Sequence, residues 1–259
     1  MKKSQSFFDT FLTCLKSLMY FGIYYVVASL VSAIILLIAE LFGKELPSSL
    51  VMIPSYIIVV LCFVVMLIPK GESIFEKADI KLTKVRYIIC GALFGVGFFG
   101  LYLAFATLFE MIPWDWVQKI VDMQKTQAGG QLEGPMVLNV IYVGLIAPVC
   151  EELVFRGLML KSLKGNFPKW ASILVCALCF GAIHLPSPIA FVVTTALGAL
   201  LGIIFYRTSS LIPCVLAHIL FNVSNFLLFI PNSIGFYILL AISIPSLIYS
   251  VIEFARRQK

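Results

Sequence analysis

The sequence predicts an all-α membrane protein built as a bundle of about eight transmembrane helices. Of its 259 residues, 61% are hydrophobic and only 12% are charged. The mean hydropathy of +1.04 is far above that of a soluble domain, which needs polar side chains to cover its surface. The apolar runs are too long for barrel strands, and open sheets leave unpaired edges in lipid. We therefore expect one membrane-embedded domain over residues 1–259.

Apolar runs of roughly twenty residues, bounded by charges, prolines or glycines, predict the individual spans. The first run is too long for the core of a signal peptide and lacks a small-residue cleavage site. The eight predicted spans cover residues 17–42, 50–68, 87–109, 136–160, 170–184, 189–206, 211–230 and 234–252. The third span carries four small residues of the kind that lets helices pack closely: Gly91, Gly95, Gly97 and Gly100.

Residues 110–135 form the longest polar segment and connect the third span to the fourth. Apolar side chains at helical spacing follow Pro113, and Trp114 and Trp116 suit the headgroup region of a bilayer. The segment therefore predicts a short interfacial helix, at about residues 113–123, within an extracytoplasmic loop.

The basic residues predict the orientation. An even number of spans places both termini on the same side of the membrane. If that side is the cytoplasm, fifteen of the nineteen Lys and Arg residues lie there and Arg156 lies in the membrane. Only Lys44, Lys119 and Lys125 then lie outside, as the positive-inside rule requires. We expect cytoplasmic termini, and the compact length with short termini favours a bacterial plasma membrane. The net charge of +6 thus reflects topology, and no nucleic-acid partner is expected.

The fourth span contains two adjacent carboxylates, Glu151 and Glu152, and one guanidinium, Arg156. Ionisable groups in hydrocarbon are costly and mark a functional site unless a structural partner accounts for them. Glu152 and Arg156 are four residues apart with the acid first, the order that favours an ion pair. Glu151 points about 100° away and is expected to face other helices. Pro148 is expected to kink the helix and open a small polar space beside them.

Three later polar side chains are predicted at the same depth. His184 ends the fifth span, and His218 and Asn222 share one face of the seventh. At ~1.5 Å per helical residue, Glu151 lies roughly 15 Å from the cytoplasmic boundary and the other three lie about 16 to 22 Å from it. Two carboxylates, two imidazoles and an amide are therefore expected around one site near mid-membrane.

This set of residues can activate water. A carboxylate and an imidazole can together deprotonate a water molecule, and a second imidazole and an amide can donate hydrogen bonds to an oxyanion. One glutamate with two histidines is also a ligand set of catalytic zinc, so a bound zinc stays open although the His-Glu-x-x-His motif is absent. The seven cysteines are expected to be small core residues, and no triad is organised around Cys150.

Three ordered motifs resemble those of a known family, the CAAX protease and bacteriocin-processing (Abi) family of intramembrane glutamic endopeptidases. The similarity covers about residues 137–229, which would form the catalytic core. The motifs are Glu151-Glu152-x-x-x-Arg156, Phe180-x-x-x-His184 and His218-x-x-x-Asn222.

The resemblance implies a role for each motif residue. Glu151 would be the base that activates water, assisted by His184, while His218 and Asn222 would donate to the oxyanion. The remaining motif residues would support or wall the site: Glu152, Arg156 and Phe180. The resemblance also implies a mechanism without a metal or other cofactor, and a cavity open to the cytoplasm.

The leading hypothesis is an intramembrane endopeptidase acting on a peptide or a membrane protein. The alternative is a non-catalytic family member, a membrane scaffold or an immunity or regulatory partner that keeps the polar cluster for folding. A transporter using the same carboxylates is a third reading, against which no inverted repeat is visible. The sequence favours no particular substrate, cleavage position or oligomeric state.

Overall fold

The structure, a computed structural model, describes residues 7–131, 133–185, 187–226 and 234–256. Within these ranges the chain is helical, and its β-structure is limited to one isolated bridge between Lys164 and Phe167. The predicted all-α fold is confirmed. Four of the basic residues counted for the orientation lie outside the described ranges, namely Lys2, Lys3, Arg257 and Lys259. Ile230, the last residue of the seventh predicted span, also lies outside them.

The helices are numbered here in chain order. They are α1 (Phe7–Leu41), α2 (Ser48–Leu67), the short α3 (Ile74–Lys77), α4 (Val85–Glu110), α5 (Asp115–Gln131), α6 (Met136–Leu163), α7 (Lys169–Ala182), α8 (Pro188–Thr208), α9 (Ile212–Ser224) and α10 (Ile234–Ala255).

Every predicted span corresponds to one of these helices. Six helices of the described residues are long and apolar enough to cross a membrane, namely α1, α2, α4, α6, α8 and α10. Helices α7 and α9 have 14 and 13 residues, or roughly 20 Å of axial length, which is less than the hydrocarbon thickness of a bilayer. The six long apolar helices make the chain an integral membrane protein. That the chain crosses the membrane eight times stays a prediction.

Helix α6 carries the two glutamates and is irregular on both sides of them. Its hydrogen bonding is π-helical over Val140–Ile146, α-helical over Ala147–Glu152 and π-helical again over Leu153–Leu160. The Ala147 amide donates to the Tyr142 carbonyl, five residues back. Pro148, which has no amide hydrogen, follows directly after this wider turn. The irregularity expected from Pro148 therefore takes the form of a π-helical segment, a feature often found at functional sites.

Helix α4 packs closely against α9 and α10, and its glycines make this approach feasible. A Cβ atom on Gly95 would overlap the backbone carbonyl of Ala217, and one on Gly91 would overlap that of Pro213. Gly97 faces the backbone of Leu247 on α10 in the same way. The close packing predicted from the small residues of this span is confirmed, and it fixes the position of α9.

Helix α5 is longer than the interfacial helix predicted for this loop. Val117 and Val121 are buried against the bundle, whereas Trp114 and Trp116 are each 57% exposed and stack on one another. The exposed indoles suit a headgroup region. Ser48 Oγ at the start of α2 donates to the Gly130 carbonyl over 2.9 Å, so α5 is attached to this end of the bundle.

We call the opposite end of the bundle the basic end. Three loops lie there and are joined by hydrogen bonds: residues 68–84, 164–168 and 209–211. Lys161 Nζ lies 3.0 Å from a carboxylate oxygen of Asp79. Ser210 Oγ donates to the Lys81 carbonyl over 2.6 Å, and the Leu211 amide donates to the Asp79 carbonyl over 3.0 Å. Burial alone would raise the pKa of Asp79, but hydrogen bonds from Lys81 and Lys161 outweigh it and lower the pKa.

We predict that Gly95→Ala destabilises the protein by about 1–3 kcal/mol, because the added methyl group must push the backbone of α9 away from α4. The free energy of unfolding in mixed detergent micelles measures the effect. Gly22→Ala is the matched control, since nothing lies within 4 Å of a Cβ at Gly22. Equal stability of the two variants would contradict the proposed close contact.

Candidate active site

Glu152 is the centre of a fully buried ion cluster. Its Oε1 atom accepts a hydrogen bond of 2.6 Å from Arg156 Nη1 and lies 2.9 Å from Nδ1 of His218. None of the three side chains is more than 3% exposed. The ion pair predicted from the spacing of Glu152 and Arg156 is present, and an imidazole from α9 joins it. The cluster thereby connects α6 to α9.

Phe180 lies behind this cluster. The Arg156 guanidinium carbon is 4.5 Å from the centre of the Phe180 ring, a cation–π distance. The same ring makes edge contacts with His184 and His218, at centroid distances of 5.2 and 5.5 Å. A Cβ on Gly198 would lie 3.1 Å from the ring and 3.2 Å from Arg156 Nη2, so the absent side chain at Gly198 leaves the room for both groups.

Glu151 has different surroundings from Glu152, although the two residues are adjacent. Tyr56 donates its hydroxyl hydrogen to Glu151 Oε1 over 3.0 Å. The Tyr24 hydroxyl lies 3.5 Å from the same oxygen and 3.1 Å from the Tyr56 hydroxyl. The other carboxylate oxygen, Oε2, lies 3.8 Å from His218 Nε2. One oxygen of Glu151 is therefore held by tyrosines, while the other faces the imidazole.

Tyr24 and Tyr56 were not identified from the sequence, which assigned the first two spans to topology alone. Both are buried, at 4% and 5% exposure, and their rings are 5.9 Å apart. The chain has ten tyrosines, and most of them suit a membrane interface equally well. No spacing in the sequence distinguishes these two from the others, since the helices that carry them meet α6 only in the tertiary fold.

His184 lies just beyond the end of α7, where it is half-buried. Its Nδ1 atom is 3.0 Å from the Phe180 carbonyl, the geometry in which Nδ1 carries the hydrogen and Nε2 is left as an acceptor. On the other side, Gln127 of α5 donates to the His184 carbonyl over 3.3 Å. The Phe180 contact orients the imidazole, whereas the Gln127 contact is made to the backbone of His184.

Asn222 lies one turn beyond His218 on α9. Its Nδ2 donates to the Val143 carbonyl over 2.8 Å, within the first π-helical segment of α6. An amide nitrogen has two hydrogens, so this bond leaves one for another acceptor. The contact fixes the amide group beside the space in front of Glu151.

A cavity of about 480 Å³ contains the predicted site. Glu151, His184, His218 and Asn222 all line it, so these four sequence-predicted residues come together around one space. The remaining cavity wall includes residues that the sequence did not indicate: Tyr24, Tyr56, Tyr142, Gln124 and Gln127. The other three predicted residues pack behind His218, namely Glu152, Arg156 and Phe180.

The cavity lies in the half of the bundle that is nearer α5. Helix α2 contributes Met52 and Tyr56 from its first half, and α8 contributes positions 190–197 from its first half. If the termini are cytoplasmic, this end is extracytoplasmic. The predicted orientation and the cavity open to the cytoplasm, which the family resemblance implied, are therefore incompatible in this structure.

A metal site is not evident from the geometry. Within the described ranges, no group of three or more His, Cys, Asp or Glu side chains is arranged to hold a metal ion. The zinc hypothesis needs Glu151, His184 and His218 as ligands. In the structure, His218 Nδ1 lies 2.9 Å from Glu152 Oε1, and its Nε2 lies 3.8 Å from Glu151 Oε2.

Comparison with known proteins identifies the region that holds this site. Residues 133–224 match the family described as type II CAAX prenyl endopeptidase Rce1-like. This region is similar to the Rce1-like family. It contains all seven predicted motif residues, so the family resemblance read from the motifs is confirmed. No curated protein and no solved structure matches the chain.

The Rce1-like region does not include the whole cavity. Tyr24 and Tyr56 precede position 133, as do Gln124 and Gln127 of α5. The family match therefore covers the motif residues on α6, α7 and α9, while α1, α2 and α5 supply the remaining wall. A fragment limited to the matched residues would lack both hydroxyl groups that contact Glu151.

We predict that Arg156→Met destabilises the protein by about 3–5 kcal/mol, since it leaves the carboxylate of Glu152 buried without its cation. Adding Glu152→Gln to this variant should recover part of the loss because the uncompensated charge is removed. The measurement is a double-mutant cycle. It compares the free energies of unfolding of the parent protein, the two single variants and the double variant in mixed detergent micelles.

The matched control for this prediction is Lys125→Met, which breaks the pair with Glu110 on the surface. Both partners are about half exposed or more, at 63% and 48%, so the expected cost is at most about 1 kcal/mol. A similar small cost for Arg156→Met would show that the buried cluster does not depend on the guanidinium.

Proposed function

We propose that this protein is an intramembrane endopeptidase that hydrolyses a peptide bond with water activated by Glu151 and His184. The observation that carries the proposal is the convergence of Glu151, His184, His218 and Asn222 on one cavity inside a membrane bundle. The match of residues 133–224 to a family of prenyl endopeptidases supports the same reaction class.

Glu151 is the proposed general base. Its Oε1 is engaged by the Tyr56 hydroxyl, so Oε2 is the oxygen that can accept a proton from water. His184 lines the same cavity, and its Nδ1 contacts the Phe180 carbonyl. Its Nε2 atom would accept a second hydrogen bond from that water. The hydroxide formed in this way attacks the carbonyl carbon of the scissile peptide.

His218 and Asn222 are the proposed donors to the oxyanion that this attack creates. The carboxylate of Glu152 can only accept hydrogen bonds, so its contact with His218 Nδ1 assigns a hydrogen to that nitrogen. With a second hydrogen on Nε2, His218 would donate to the oxyanion, and the free hydrogen of the Asn222 amide would do the same.

The proton taken by Glu151 returns to the amine when the peptide bond breaks. One water molecule is consumed, and the products are a new carboxylate and a new amine, so no external donor or acceptor is needed. In this scheme Glu152 and Arg156 do not touch substrate. They hold His218 in position, which is the supporting role assigned to them above.

The family description makes a prenylated CAAX peptide the first substrate to test. A cavity of about 480 Å³ that is lined largely by aromatic and aliphatic side chains suits an apolar peptide segment. The distribution of basic residues supports cytoplasmic termini.

A non-catalytic membrane scaffold is the alternative function. One observation favours it, because Glu152 already has two partners within the protein and ties α6 to α9 without any substrate. On this reading the cluster is kept for folding, and the loss of Glu151 would affect partner binding or stability rather than a reaction rate.

We predict that Glu151→Gln lowers kcat for a fluorogenic prenylated CAAX peptide by at least about 10²-fold, since the amide cannot accept a proton from water. His184→Ala should lower kcat by a similar factor. Both variants are measured as full-length protein in proteoliposomes at equal protein amounts, with and without a zinc chelator.

The matched control is Glu253→Gln, which removes a buried carboxylate on α10 that pairs with Arg86 and Arg256 and does not line the cavity. Its kcat should equal that of the parent protein. Full activity of folded Glu151→Gln would rule out the proposed base, and loss of parent activity in the chelator would favour zinc chemistry.

We predict that Tyr56→Phe lowers kcat about tenfold with little change in KM, because a hydrogen bond to a charged oxygen is worth about 1.5–3 kcal/mol and holds Glu151 in position. Tyr24→Phe should have a smaller effect, since its hydroxyl is 3.5 Å from the carboxylate. Tyr87→Phe, which removes a hydroxyl bonded to Arg86 away from the cavity, should leave both constants unchanged. An unchanged kcat for Tyr56→Phe would contradict the positioning role.

A further inference from the structure

The two ends of the bundle differ in how far they give access to Glu151. Towards the basic end, the residues of α6 from Leu153 to Leu160 are all at most 5% exposed. Beyond them, the loop contacts of Asp79, Lys161 and Ser210 close the surface. The buried segment from Leu153 to Leu160 therefore lies between Glu151 and the basic end.

Towards the α5 end, a surface groove adjoins the cavity. The groove is lined by Lys119, Asp122, Met123, Thr126, Gln127 and Ser187. Gln127 belongs to both the groove and the cavity and so lies at the boundary between them. A substrate that moves from the groove to the candidate site would pass this side chain.

Gln127 has a free hydrogen-bonding atom at that boundary. Its Nε2 donates to the carbonyl of His184, the residue proposed to assist Glu151. Its Oε1 is buried and has no hydrogen-bond partner among the described residues. A buried amide oxygen without a donor is unfavourable, and a peptide N–H would satisfy it.

The cavity also reaches the lipid-facing surface beside α1. Tyr25 and Ser29 line it, and both are exposed, with Tyr25 at 55%. A peptide that enters over α5 can therefore remain attached to a segment in the bilayer. This arrangement suits a membrane-inserted substrate that is cleaved near the boundary at the α5 end.

We infer that the scissile peptide reaches Glu151 from the α5 end through the groove, and that Gln127 binds its backbone at the entrance. With the orientation favoured by the basic residues, this end is extracytoplasmic. The substrate class is then a membrane-inserted peptide or protein whose cleaved segment is exposed outside the cytoplasm. The inference rests on the proposed peptidase function and adds the side and the route of access.

The side of access is tested by thiol labelling in intact cells. Gln127→Cys and the control Lys169→Cys are each treated with a membrane-impermeant maleimide, and wild-type protein gives the background from its seven cysteines. Cys at position 127 should react in intact cells, whereas Cys at position 169, an exposed position at the basic end, should react only after permeabilisation. Labelling of position 127 only after permeabilisation would overturn the assigned side.

The route is tested with the purified full-length variants in detergent micelles, where both ends are accessible to reagent. Modification of Gln127→Cys with a bulky maleimide should lower cleavage of the fluorogenic prenylated CAAX peptide at least tenfold. The same modification of Lys169→Cys should leave cleavage unchanged. Gln127→Ala should raise KM about fivefold at constant kcat, as expected when one backbone hydrogen bond is lost. Full cleavage by the modified Gln127→Cys protein would overturn the route.

Failure of this inference can be distinguished from failure of the proposed function. If unmodified wild-type protein does not cleave the peptide and Glu151→Gln behaves identically, the peptidase proposal fails for this substrate. The labelling result still decides which side the groove faces. If wild-type protein cleaves the peptide but modification at position 127 has no effect, the function stands and the route is wrong.

Discussion

The buried contact of Glu152 with Arg156 and His218 is the interaction on which the rest of the site depends. Taking these groups out of water is costly, and their mutual contacts repay the cost only when the geometry is good. Arg156 approaches Glu152 along the same helix, whereas His218 comes from α9. The cluster therefore tolerates little change in the register of α9 against α6, and that register also places Asn222 beside Val143.

Adjacent carboxylates acquire different roles because their helix turns them to different neighbours. Glu152 meets a guanidinium, an imidazole and no solvent-accessible space, which suits a structural charge. Glu151 meets two tyrosine hydroxyls and a cavity, which suits a group that exchanges a proton. His218 contacts both residues through its two ring nitrogens. His218 therefore belongs to both the buried ion cluster and the cavity wall.

The surrounding bundle makes the site accessible from one direction. On one side of the glutamates, the π-helical segment from Leu153 to Leu160 is buried, and hydrogen bonds join the loops at the basic end. On the other side α5 lies over the cavity and is attached through Ser48 and Ser187, which donate to the Gly130 carbonyl and to Gln124 Oε1. This asymmetry, rather than the family motifs, gives the proposed peptidase its side of access.

The sequence by itself determined the all-α membrane fold, the pairing of Glu152 with Arg156 and the convergence of the motif residues. Composition, i,i+4 spacing and axial rise are local properties, and these predictions needed nothing else. Only the tertiary structure decided which oxygen of Glu151 is held by Tyr56, that Asn222 bonds to Val143, and that the cavity lies at the α5 end. Those contacts join residues that are 79 or more positions apart, and their geometry follows from how helices pack rather than from any pattern along one of them.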